Sequence, residues 1–163
     1  MPTVTITDTA LTAITSCARS AADGRETGGV LLGHHRTQPD QLLDVVHAGN
    51  AGPHAVRRAD FFRRDVAHAQ ALADLAYVTD GSVWLGEWHT HATGSGPSVQ
   101  DLVSYHLLLA DPELDFHLFL AVIALPGPDH GWDRPRLSGW LVAPGQARQV
   151  PLLRRTLEEV PTT

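Results

Sequence analysis

Apolar and polar positions along this 163-residue chain switch between a period of two and a period near 3.6, marking alternating strands and helices. Residues 4–6 are predicted as a short first strand. Asp8 reads as the N-cap of a helix whose Leu11, Ile14 and Ala18 recur at helical spacing, with Gly24 as its stop. Cys17 falls inside that helix as a small core residue. Residues 30–32 suit a buried strand, and Gly28, Gly29 and Gly33 beside it imply close backbone approach or a bulge. A turn at 38–41 and a strand at 42–46 complete a hairpin.

Residues 48–59, with Gly49, Asn50, Gly52 and Pro53, read as an irregular loop. A helix is expected from Asp60, with Phe62, Val66, Ala69, Leu72 and Leu75 or Ala76 as its apolar stripe and Gly81 as its end. Residues 83–91 form the central strand, 92–97 a small flexible loop, and 98–110 a further helix. Residues 117–125 are the most apolar strand, 126–135 a loop rich in Pro and Gly, and 137–142 another strand. Residues 152–159 are expected as a terminal helix or strand that frays at Pro161. There is no internal repeat or linker, so residues 1–163 read as one α/β domain.

Composition narrows the class. Apolar content of 43% and charged content of 18% are those of an ordinary soluble globular protein. No apolar run is long enough to span a bilayer, and the first residues lack a basic segment followed by an apolar one, so no secretory signal is expected. The lone Cys17 excludes an internal disulfide or a multi-cysteine metal site and fits a reducing cytoplasm. A net charge of −6 gives no general attraction to nucleic acid or anionic membranes. All twelve basic residues are arginine, which a GC-rich genome explains more simply than function does. The cluster Arg57, Arg58, Arg63 and Arg64 reads as a solvated surface, with contact to an acidic partner as the less favoured alternative.

The chemistry concentrates in residues 86–101. His89 and His91 stand two apart, so on a strand both rings point to one face and can offer two nitrogens to one metal ion. Asp101 can add a carboxylate, and three protein ligands with a fourth position open describe a catalytic zinc site better than a structural one. Ser98-Val-Gln-Asp101 is also a capping-box-like helix start, which by itself would explain Ser98 and Asp101. The other histidines form no second convincing triplet. A zinc hydrolase needs a general base as well. The His-Glu-x-x-His pattern is absent, and one cysteine cannot supply the Cys-x-x-Cys of nucleobase deaminases. Among five glutamates the leading candidates for the base are Glu26 and Glu87.

Glu26-Thr-Gly-Gly-Val-Leu-Leu-Gly, Trp88-His-Thr-His91 and Pro97-Ser-x-x-Asp101 together resemble the JAMM (MPN-plus, JAB) metalloprotease family, most closely its compact prokaryotic JAB branch. The resemblance implies a curved mixed central sheet flanked by helices, in the cytidine-deaminase-like style. It implies that His89, His91 and Asp101 bind zinc, that Glu26 is the general base and acid, and that Ser98 helps stabilise the developing oxyanion. The implied reaction is hydrolysis of a peptide or isopeptide bond after the C-terminal tail of a ubiquitin-like protein bound as an added strand. The implied settings are deconjugation in a bacterial ubiquitination-like, anti-phage operon or trimming of a sulfur-carrier protein. A non-catalytic module binding ubiquitin-like proteins is the reading from a different class. Residues 48–60 and 126–135 match the family's substrate-contacting insertions, and without cysteines they imply no accessory zinc. Two departures stand out: the loop at 92–97 is one residue shorter than is usual in the family, and Ala92 replaces a frequent proline.

Overall fold

The alternating periods resolve into an eight-stranded mixed sheet with helices on both faces in the computed structural model, which describes residues 2–156. In chain order the elements are β1 (Thr3–Thr7), α1 (Asp8–Ala18), a 3-10 segment (Arg19–Asp23), β2 (Gly28–His35), β3 (Gln41–Ala48), β4 (Val56–Arg58) and β5 (Phe61–Arg63). Then come α2 (Val66–Asp80), β6 (Val83–Thr90), α3 (Val99–Ala110), β7 (Phe119–Gly127), β8 (Gly131–Ala143), β9 (Gln146–Val150) and β10 (Leu152–Arg155). The sheet order is β10-β1-β3-β2-β6-β7-β8-β9, with β4 and β5 forming a separate hairpin.

β9 and β10 lie at opposite edges of that order, yet only Pro151 separates them in sequence. The sheet therefore curls until it nearly closes. Val150 pairs with Gly139 of β8, Leu152 pairs with Val4 of β1, and the Pro151 carbonyl accepts from the Val4 amide at 3.1 Å. A residue without an N–H suits this switch, because it leaves no donor unsatisfied.

α1 lies on the face enclosed by the curl and touches both β3 and β8. Its Ala10, Ile14 and Ala18 are fully buried against Val4, Leu31, Val45, Trp88, Leu120 and Leu141. Burying the Ile14 side chain alone contributes roughly 1.5–3 kcal/mol. The opposite face carries α2 over Val30 and Leu32, and α3 over Phe119, Ala121 and Val142. β2 and β7 thus divide their residues between two cores by simple alternation.

β6 breaks that alternation, and the site depends on the break. Leu31 pairs with Gly86 but Leu32 pairs with Trp84, so Leu85 is an extra, bulged residue. Leu85 and Trp88 consequently both face the α1 core. With uninterrupted alternation Glu87 and His89 would share Leu85's face; the bulge turns them to the α3 side instead. Gly86 makes this possible, since a Cβ there would lie 1.8 Å from the Leu120 carbonyl oxygen.

Several expectations are corrected. Thr7, not Asp8, caps α1, its hydroxyl accepting from the Ala10 amide. α1 stops at Ala18, and Gly24 in the left-handed region (φ 80°) ends the 3-10 segment instead. The helix expected from Asp60 begins at Val66, because the Asp65 carboxylate caps it; Phe62 belongs to β5. The loop expected at 48–59 contains β4, and that at 126–135 is largely strand, with the pairing irregular between Leu125 and Gly127 near Pro135. β9 was not expected at all. Of the predicted terminal element, 152–155 is strand, whereas 157–159 and Pro161 lie outside the described residues. Among the described residues, no helix is long and apolar enough to cross a membrane.

Candidate metal centre

β6 delivers His89, and the residue just beyond its end delivers His91, whose amide still bonds to the Ala124 carbonyl of β7. Both rings are buried, and their Nε2 atoms approach to 2.8 Å. The other ring nitrogens have partners of their own. His91 Nδ1 lies 3.2 Å from the Gly94 carbonyl oxygen, and His89 Nδ1 lies 3.4 Å from the buried Tyr105 hydroxyl of α3. A carbonyl only accepts, so His91 places a proton on Nδ1, and Nε2 is the nitrogen it turns toward the site.

Asp101 completes the group from the first turn of α3. One of its oxygens, Oδ2, lies 3.2 Å from His89 Nε2 and 3.1 Å from His91 Nε2. That oxygen also accepts from the Ser98 amide at 2.8 Å, while Ser98 Oγ accepts from the Asp101 amide at 3.0 Å. The expected capping box is therefore present and fixes the direction of the proposed ligand. Burial opposes charge on Asp101, but hydrogen bonds with His89, His91 and the Ser98 amide outweigh it and hold the carboxyl well below the usual range.

These three atoms lie close enough together to share one metal ion, slightly inside the spacing of an ideal tetrahedral site. At zinc–ligand distances of about 2.0–2.2 Å, tetrahedral ligands sit roughly 3.3–3.6 Å apart, and the three separations here are 2.8, 3.1 and 3.2 Å. Two imidazole nitrogens and a carboxylate oxygen converging this closely call for a cation or a shared proton among them. The partners on both Nδ1 atoms are the kind of outer support that histidine ligands need.

Glu26 reaches the same place from the other strand. Gly28 pairs with His89, and beyond it the Thr27 amide donates to Thr90 Oγ1 at 2.9 Å and the Thr90 amide to the Thr27 carbonyl at 2.8 Å. The register brings Glu26 level with His91, and ligand atoms of Glu26, His89 and His91 all lie within 4.8 Å of one another. Glycine is required at 28: a Cβ would sit 2.2 Å from the Trp88 carbonyl oxygen and 2.8 Å from His89 Cβ. Burial pushes the Glu26 carboxyl above the ordinary glutamate range, opposed in part by His89 and His91. Glu87 shares the face of His89 but is tied to Arg64 at 3.5 Å, and the Arg64 guanidinium lies 4.8 Å over the Trp84 ring.

A cleft of about 290 Å³ opens over Glu26, His91 and Ser98, walled by Ala59 and Asp60 of the β4–β5 turn and by Thr93. A second, of about 410 Å³, continues past Glu26 along Ala22, Thr90, Ala92 and Trp132. The Ser98 hydroxyl accepts the cap bond, and its own hydrogen has no partner among the described residues. The short 92–97 loop turns at Gly94 (φ 84°) and is fastened to β8, where Ser138 Oγ and Trp140 Nε1 both donate to the Ser95 carbonyl.

Sequence reasoning missed Tyr105 and Gly94 as supports of the ring nitrogens, and saw Arg57 only as one member of a basic cluster. Arg57 and Arg64 are engaged side chains, which corrects the reading of their cluster as a wholly solvated surface. A tyrosine four residues after Asp101 on one helix face was a readable signal for Tyr105. Nothing local set Arg57 apart.

Three comparisons bear on the arrangement. The family profile described as prokaryotic homologs of the JAB domain matches residues 10–135. No curated protein matches. The solution structure of the protein DSY2949 from Desulfitobacterium hafniense superposes with a TM-score of 0.68 at 21% identity, covering 96% of this chain and 95% of that one. At that identity the likeness concerns the fold.

Proposed function

The chain belongs to the prokaryotic homologs of the JAB domain, and from that premise we propose that it is a zinc-dependent peptidase or isopeptidase. The observation carrying this reading is the convergence of Glu26 with His89 and His91 within 4.8 Å, beside a carboxylate fixed by its own helix cap. His89, His91 and Asp101 would hold the ion. When bound, zinc supplies Lewis acidity and lowers the pKa of a water to roughly 7. Glu26, at the lip of the cleft, takes a proton from the attacking water and returns it to the leaving amine. The unused Ser98 O–H donates to the scissile carbonyl oxygen as negative charge builds there. A binding module without turnover needs no carboxylate at position 26, so the intact Glu26 favours the enzyme.

The substrate in this reading is the C-terminal tail of a ubiquitin-like protein. Ala22, Gly24, Ala59 and Ala92 line the paired clefts, leaving a slot suited to a slender extended chain. Release of such a protein from conjugates, as in a bacterial ubiquitination-like defence operon, is the role we assign it. Incubation with a ubiquitin-like protein fused through its C-terminal tail should yield cleavage that a chelator abolishes and added zinc restores. Binding of the fusion without any product would instead establish the non-catalytic module.

A further inference from the structure

We infer that Arg57 is a positioning residue for Glu26, and that the β4–β5 hairpin exists partly to hold it there. The inference rests on reading Glu26 as the base. The segment from Ser20 to Glu26 has little regular pairing of its own: after the 3-10 segment it runs through Gly24 and Arg25 to the start of β2. Nevertheless it presents one carboxylate to the histidine pair.

Arg57 supplies the missing order. Its Nε donates to the Glu26 carbonyl at 2.9 Å, and its Nη2 donates to the carbonyls of Ser20 at 3.0 Å and Arg25 at 3.2 Å. Nη1 and Nη2 also reach the two oxygens of Asp23, at 3.0 and 3.1 Å. One guanidinium thus collects three backbone carbonyls and a carboxylate from residues 20–26. The next residue closes the clamp, as the Arg58 carbonyl accepts from the Glu26 amide at 2.7 Å. Both backbone polar groups of Glu26 are therefore held by β4.

The hairpin is itself anchored where the site is built. Val56 to Arg58 pair with Arg63 to Phe61, and Phe62 covers Gly28 so closely that a Cβ there would lie 2.9 Å from its ring. The Arg57 side chain is only 17% exposed, unlike the arginines of a solvated patch. A planar five-donor fork can span these acceptors at once; a lysine ammonium cannot. Misplacing a reacting group by about 1 Å can cost 10²-fold in rate, so releasing the clamp acts on turnover without removing any group that touches substrate.

The test compares Arg57→Ala and Arg57→Lys with the parent chain and with Arg19→Ala, which breaks an exposed pair to Asp133 in the same 3-10 segment. Three quantities are read: zinc per chain, kcat and KM on the ubiquitin-like fusion, and amide hydrogen exchange over residues 19–27. Both Arg57 variants should bind zinc as the parent does, lose roughly 10–100-fold in kcat with KM little changed, and exchange faster across 19–27 alone. Arg19→Ala should match the parent in all three. Parent-like exchange at 19–27, parent-like kcat, rescue by Arg57→Lys, or loss of zinc would each overturn the inference. If the parent proves inactive while exchange in the variants is locally accelerated, the peptidase reading fails and the clamp stands.

Discussion

A hydroxyl can accept and donate at once, which leaves Ser98 able to serve two roles. Its oxygen accepts the Asp101 amide and so caps α3, while its hydrogen stays available at the mouth of the cleft. Ser98→Ala should therefore show two separable effects. Loss of the cap should lower stability by about 1 kcal/mol in a thermal melt. Loss of the donor should lower kcat by roughly 10²-fold. The first effect without the second would reduce Ser98 to a cap. Among carboxylates the same scale separates Glu26 from Glu87. Both are buried and pushed up by burial, but Glu87 has Arg64 as a dedicated partner, whereas Glu26 faces the histidine pair.

At the scale of elements, Asp44 of β3 holds the closing edge of the sheet. Its fully buried carboxylate accepts from Thr5 Oγ1 of β1 at 2.7 Å, Arg36 Nη2 at 2.7 Å, and Arg155 Nε and Nη2 of β10 at 3.0 and 2.7 Å. Burial opposes its charge, but Arg155, Thr5 and Arg36 together hold its pKa below the ordinary 3.8. A depressed folded-state value means a contribution that is complete above about pH 4 and lost as pH falls through the lower folded value. Asp44→Asn should cost about 3 kcal/mol at neutral pH, the low end for a broken buried pair because both guanidiniums remain partly exposed. Denaturation followed from neutral to acid pH should show the parent weakening below about pH 4 and the variant changing less. Equal pH profiles would remove Asp44 from this role.

Elements with one dominant period were legible in the chain, and those built on exceptions were not. β2, β3, α3 and β7 follow their apolar runs, as expected, and the run of β6 marked a strand although not its bulge. Phe62 and Val66 are four apart and mimic a helical stripe, which hid β5 until the Asp65 cap placed the helix start. Pro126, Pro128 and Pro135 suggested a loop, yet β7 and β8 continue by tolerating irregular pairing there. β9 is nearly all exposed, with only Val150 buried, so it has no alternation to read. Within the candidate site, His89, His91, Asp101 and Ser98 stood out by local spacing, whereas only the family resemblance separated Glu26 from Glu87. Arg57 did not stand out, since its importance lies in backbone carbonyls some thirty residues earlier that only the fold brings together.

At the scale of the whole molecule, the bulge in β6, the glycine at 28 and the cap of α3 serve one arrangement. They bring a strand, a loop and a helix to a single point against a sheet curled around α1. The central claim is that this point is a zinc site with Glu26 as its base. The most direct measurement is the cleavage rate of the ubiquitin-like fusion by zinc-loaded Glu26→Gln, with metal content determined on the same sample. The account predicts about one zinc per chain, as in the parent, and cleavage slower by at least roughly 10²-fold. Cleavage at the parental rate would contradict it and shift the role of base to another group, and a chain with no affinity for zinc would contradict the site itself.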